Sequence, residues 1–128
     1  MNTLLRLLLV DDNVAVRKTM CALLASPVIE IIGEAGDGSV AVQAAHRLMP
    51  DIVLMDYHMP VMDGLEAARL ILAGPEPPLV ILFSGDVDPT LCAAARQVGV
   101  RTVLQKGVTC RVIHDALVMA RQQYEQAA

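Results

Sequence analysis

A chain of 128 residues with a formal charge of −4, 55% hydrophobic side chains and 2% aromatic ones has the make-up of one domain with an aliphatic core. That composition excludes a disordered polar chain. With no Lys/Arg run and few stacking platforms, it also argues against nucleic-acid binding by this chain and against a flavin sandwich.

The N-terminal stretch MNTLLRLLLVDDN resembles a signal peptide only briefly, because Arg6 interrupts its short apolar run and two aspartates end it. No stretch reaches the roughly 18 apolar residues of a spanning helix, so a cytoplasmic chain without membrane contact is expected. The first strand is read at Leu5–Val10, followed by a helix over Val14–Ala25 with Asp12 or Asn13 as its cap. Cys21, on that helix, shows no CxxC spacing to Cys92 or Cys110. All three read as buried free thiols of a reducing compartment.

Strand Val28–Glu34 leads to a helix over Gly38–Leu48, whose apolar face is Val40, Ala41, Ala44, Ala45 and Leu48. Pro50 follows it. Strand Ile52–Met55 runs into Asp56, and a helix over Gly64–Leu72 is broken by Gly74–Pro78. Strand Leu79–Phe83 precedes a helix over Pro89–Val98 that Gly99 closes. Strand Thr102–Gln105 precedes a last helix over Thr109–Gln123, capped by Thr109, with Val112, Ile113, Leu117 and Ala120 apolar. His46 and His114 stand on helices without partners at metal-ligand spacing and read as structural.

Regular βα alternation predicts an α/β fold: a parallel sheet with right-handed crossovers and helices on both faces. Such sheets carry their sites beyond the carboxyl ends of the strands. There the sequence places Asp11 and Asp12, then Asp56, Ser84 and Lys106. Each has an ordinary reading singly: a helix cap, a turn residue, a solvated charge. At four strand ends together they form a site. Three neighbouring carboxylates require a cation, and hard oxygen ligands suit Mg²⁺, with the His58 backbone carbonyl completing the protein's share. Asp56 is then a usable nucleophile toward a phosphoryl group, with Ser84 and Lys106 to meet the arriving oxygens.

The segments LLLVDDN, VLMDYHMPVMDG, ILFSGD and VLQKG, in this order, resemble the response-regulator receiver domain of bacterial two-component signalling over nearly the whole chain. The resemblance implies a doubly wound five-stranded sheet in the order 2-1-3-4-5, as in the CheY-like fold. It implies phosphoryl transfer to Asp56 from a histidine kinase or phosphotransfer protein, and Mg²⁺ held by Asp11, Asp12 and Asp56. The phosphate would be read by Ser84 and Lys106, and a homodimer would form through the face of helix 4, strand 5 and helix 5. Apart from this self-transfer and slow autodephosphorylation, no enzyme activity is implied.

Three positions depart from the family pattern. Val103 stands where an aromatic switch is common, so helix or backbone displacement must carry the signal. Gly107 follows the lysine in place of proline, and KGVT is similar to receivers attached to helix-turn-helix DNA-binding domains. His58, two residues after the acceptor, reads first as a solvent-facing loop residue that donates only its carbonyl; the alternative is a side chain that faces the phosphoryl group and modulates the placing of an attacking water. Phe83 is expected to point away from Ser84.

The domain is expected over 1–125, with 126–128 a tail or the start of a linker. It is either the receiver of a longer transcriptional regulator or a stand-alone one. A haloacid-dehalogenase phosphatase would need D-x-D, which neither Asp11 nor Asp56 begins, and a flavodoxin-like carrier would need a phosphate cradle after the first strand. A non-phosphorylated pseudo-receiver acting as a binding module is the third alternative.

Overall fold

The aliphatic runs pair in parallel, as the alternation predicts. In the computed structural model, which describes residues 4–127, the strands are β1 (Leu5–Val10), β2 (Ile29–Ala35), β3 (Ile52–Asp56), β4 (Leu79–Ser84) and β5 (Thr102–Gln105). They stand in the order β2-β1-β3-β4-β5. Between and after them run α1 (Val14–Leu24), α2 (Gly38–Leu48), α3 (Gly64–Leu72), α4 (Pro89–Val98) and α5 (Cys110–Ala127). The order reverses direction between β1 and β3, which puts the crevice of the sheet at the ends of those two strands.

Side-chain alternation divides the core in two. Leu8, Val10, Val53, Met55, Val80 and Leu82 pack under α2, α3 and α4, whose contact faces are largely alanine. Leu7, Leu9, Leu54, Ile81 and Phe83 pack under α1 and α5, against Met20, Leu24, Ile113 and Leu117. Small residues on one side let three helices approach closely, while the longer side chains of α1 and α5 fill the other. β3 is buried at every position, which is why it reads as an uninterrupted apolar run.

Helix starts follow local chemistry. Asn13, Asp37, Asp63 and Asp88 each accept the backbone N–H three residues on, and Thr109 Oγ1 accepts from Val112 N. Gly99 ends α4 at φ 98°, a conformation that suits a residue without Cβ.

Several boundaries differ from expectation. Ser26 Oγ takes the N–H groups of Val28 and Ile29, which turns the chain and delays β2 to Ile29. Ala25 is already extended, so α1 stops at Leu24. α5 continues past Gln123 and past the expected domain limit at 125 to Ala127, while residue 1, the other expected limit, and residue 128 lie outside the described residues. Val40 and Val112 are not core: they are 44% and 49% exposed, at the margins of their helices' apolar stripes. The three cysteines are free thiols but partly rather than fully buried. Cys21 is pushed up by burial and by Glu34 beside it.

Candidate functional site

β1 delivers Asp11 at its end, where the chain turns into α1. Asp11 is buried and Asp12 exposed, so the pair spans the boundary between core and solvent. Arg17, one turn into α1, donates from Nη1 to the Asp11 carbonyl at 2.6 Å and from Nε to Glu34 at 3.2 Å, tying the turn to the end of β2. Asp11 Oδ1 accepts from Asn13 N at 2.8 Å. Its Oδ2 is buried with no hydrogen-bond partner. Burial holds the Asp11 carboxyl above its usual range; Asp56 and Asp12 add to this, while the Asn13 N–H and Lys106 oppose it.

β3 ends on Asp56, 2% exposed. Its Oδ1 accepts from His58 N at 3.2 Å and its Oδ2 from Lys106 Nζ at 2.9 Å. The loop to α3 folds back over the strand end, with Gly64 N donating to Tyr57 O at 2.7 Å. That closure requires glycine: a Cβ at position 64 would lie 2.4 Å from the Asp56 carbonyl oxygen.

Lys106 reaches over from the end of β5. Its ammonium is also 3.9 Å from Asp11 Oδ2 and 5.2 Å from the centre of the Phe83 ring. Phe83 points to the α1/α5 side of β4, opposite Ser84, as the alternation predicts. Ser84 is wholly buried, and its hydroxyl is engaged by its own loop, donating to Asp86 O at 3.1 Å and accepting from Asp86 N at 3.3 Å.

The side chain of His58 is exposed and its ring packs edge-on against Tyr57, with centroids 4.7 Å apart. Val103 is half-buried against the core, beside a groove of about 190 Å³ lined by Cys92, Ala95, Arg96 and Arg101. His114 bonds Ser26 Oγ through Nε2 at 3.0 Å, a tether between α5 and the α1–β2 loop.

Oxygens of Asp11, Asp12 and Asp56 lie within 4.8 Å of one another. The donor set fits a hard divalent cation: three carboxylates converge, and the orphaned Asp11 Oδ2 is a buried acceptor without a donor. Two residues that shape this corner were not singled out in the sequence. Arg17 carried no signal beyond being a cation one turn after the acidic pair. Gln105, which donates from Nε2 to Gly85 O at 2.5 Å, could have been found from the alternation along β5.

Fold and corner together define a doubly wound domain with an acidic strand-end site whose carboxylates fit a hard divalent cation. The chain belongs to the response regulator receiver domain family, whose model matches residues 7–118. It is 38% identical over 115 residues to the transcriptional regulatory protein LiaR of Bacillus subtilis, covering 89% of this chain and 54% of that protein. It is 46% identical over 86 residues to a protein-glutamate methylesterase/protein-glutamine glutaminase of Geobacter metallireducens, covering 66% of this chain and 24% of that one. The chain thus spans about half of the first relative and about a quarter of the second.

Among solved structures it is similar to the signal receiver domain of the response regulator NarL from Mycobacterium tuberculosis. The TM-score is 0.89 at 30% identity, covering 94% of this chain and 98% of that one. The response regulator domain of Thermotoga maritima CheB superposes with a TM-score of 0.81 at 29% identity, covering 94% and 95%. Among the described residues, no helix is long and apolar enough to cross a membrane.

Proposed function

We propose that this chain is a phosphorylation-dependent switch in which Asp56 accepts a phosphoryl group from a partner histidine kinase or phosphotransfer protein. The observation that carries this reading is the contact between buried Asp56 and Lys106, beside the orphaned oxygen of Asp11. A carboxylate oxygen of Asp56 attacks phosphorus as the P–N bond to the donor imidazole breaks. The electron pair stays on the imidazole nitrogen, which then takes a proton from solvent. Mg²⁺, held by Asp11, Asp12, Asp56 and the His58 carbonyl, would supply neutralisation of the charge on the approaching oxygens.

Lys106 already contacts the acceptor, so its ammonium passes to a phosphoryl oxygen with little movement. Ser84 must first release Asp86. Shifting a two-state equilibrium from 1:99 to 99:1 takes about 5.5 kcal/mol, and a charge-assisted hydrogen bond is worth ~1.5–3 kcal/mol. Ser84 and Lys106 each exchange an existing contact for one to a phosphoryl oxygen, so their net gain is smaller than two such bonds and supplies part of the shift. The exposed His58 ring, edge-on to Tyr57, supports a solvent-facing loop residue that gives the site its backbone carbonyl.

The output reading is a receiver of a cytoplasmic transcriptional regulator, supported by the similarity to LiaR, which is named a transcriptional regulatory protein. A homodimer through α4, β5 and α5 is supported by Val112 and Met119, 49% and 56% exposed on α5. The test is intact-mass spectrometry after incubation with a small phosphodonor, with and without Mg²⁺, beside Asp56→Ala. A single Mg²⁺-dependent phosphoryl gain that the variant lacks is expected. No gain in the wild-type chain overturns the acceptor reading in favour of a binding module that is not phosphorylated.

A further inference from the structure

Ser84, Val103 and Gln105 share one face of the sheet. Ser84 and Gln105 are register partners across β4 and β5. Alternation along β5 puts Val103 and Gln105 on the α4 side, while Leu104 packs with Phe83 on the other. From that side Gln105 Nε2 donates to the carbonyl of Gly85 at 2.5 Å. Gly85 lies between Ser84 and Asp86, and it is the backbone of Asp86 that holds the Ser84 hydroxyl.

The parallel ladder ends just short of this peptide, where Lys106 N donates to Ser84 O at 2.7 Å. Beyond it, nothing other than its chain neighbours lies within 4 Å of the place a Cβ would take on Gly85, so side-chain packing from other elements does not hold the loop at this residue. The Gln105 amide extends the ladder by one polar contact into the loop that must move.

We propose that Gln105 is a positioning residue that latches the β4–α4 loop while the Ser84 proton is committed to Asp86. In a chain with Val103 at the aromatic position, it links Ser84 to the α4–β5 face. The inference rests on the reading of Asp56 as phosphoryl acceptor. For Ser84 to donate to a phosphoryl oxygen it must leave Asp86, which swings the Gly85 peptide and breaks the Gln105 contact. Removing the latch therefore favours the state that binds the phosphoryl group. One neutral hydrogen bond corresponds to a shift of about two- to tenfold.

The test compares wild type with Gln105→Met, which keeps length and loses the donor, and Gln105→Lys, which keeps a donor at similar reach. Gln105 is exposed, so each variant is expected to fold, with Gln105→Met losing no more stability than one hydrogen bond provides. The first readout is solvent exchange of the Asp86 amide by magnetisation-transfer NMR in metal-free protein. The second is affinity for beryllofluoride, a phosphoryl mimic, in the presence of Mg²⁺.

Gln105→Met is expected to raise both Asp86 exchange and beryllofluoride affinity about two- to tenfold, with Gln105→Lys close to wild type. Unchanged exchange and affinity in Gln105→Met, with wild type binding the mimic normally, overturn the latch alone. Failure of wild type to bind beryllofluoride with Mg²⁺ overturns the acceptor reading, and the proposed coupling with it.

Discussion

Removal of the Lys106 ammonium tests how the acidic corner is held together. Lys106→Met takes away a charge 2.9 Å from Asp56 Oδ2 and 3.9 Å from Asp11 Oδ2. Breaking a fully buried pair by deleting one partner costs about 3–5 kcal/mol, because the surviving charge stays buried. Pairs on the surface are worth only about 0–1 kcal/mol. Here the carboxylate is 2% exposed and the lysine side chain 39%, so the case lies between those limits. A loss of about 1.5–3 kcal/mol is expected in EDTA, or about 6–12 °C in melting temperature for a domain of this size.

Two further arms separate electrostatics from packing. Asp56→Asn in the Lys106→Met background removes the stranded charge and is expected to recover most of the loss. Millimolar Mg²⁺, which brings positive charge to the same carboxylates, is expected to narrow the gap between Lys106→Met and wild type. Thermal and urea denaturation at neutral pH in EDTA and in Mg²⁺ measure all three. A Lys106→Met protein as stable as wild type in EDTA refutes the reasoning, and so does a double variant with no recovery.

Asp11 gives a pH prediction. Its carboxyl is raised by burial above the ordinary 3.8, so the native state keeps a proton that the unfolded chain has released. In EDTA its contribution to stability is therefore fully present below that ordinary value and is lost as pH climbs through the raised native one. Urea denaturation should find Asp11→Asn gaining on wild type as pH rises from about 4 to about 7. Gly64→Ala forces a Cβ to 2.4 Å from the Asp56 carbonyl oxygen. It is expected to cost about 2–4 kcal/mol by denaturation and to slow phosphoryl uptake in the mass assay. Leu117→Ala, wholly buried in α5, should cost about 3 kcal/mol and leave the site's Mg²⁺ response in place. Cys21, pushed up by burial, should alkylate more slowly than an unfolded-chain thiol at mildly alkaline pH, as read by peptide mass mapping.

One departure from the family pattern, Val103, lies at the α4–β5 face. With Val103 half-buried and a groove beside it, there is no aromatic ring to swing inward when Ser84 moves. The neighbouring Gln105 occupies the same face and bonds directly to the moving loop.

What the sequence determined by itself was the order of the elements, the parallel sheet and the residues at its carboxyl edge. These follow from periodicities of two and 3.6 residues and from caps such as Asn13 and Thr109, all of which act within a few positions of the chain. Asp11, Asp12, Asp56, Ser84 and Lys106 were legible as lying along one sheet edge because strand ends in a βα alternation have to meet. Only tertiary structure decided the pairing among them. Lys106 contacts Asp56 50 residues away, Asp11 Oδ2 is left without a donor, and the Ser84 hydroxyl turns into its own loop. Val40 and Val112 show the same division, since a stripe's centre follows from spacing but its exposed margin follows from how the helix is rolled against the sheet. Gln105 could be placed on a face from β5 alone, yet its contact with Gly85 exists because packing sets the reach from one strand to the next loop to within a few tenths of an ångström.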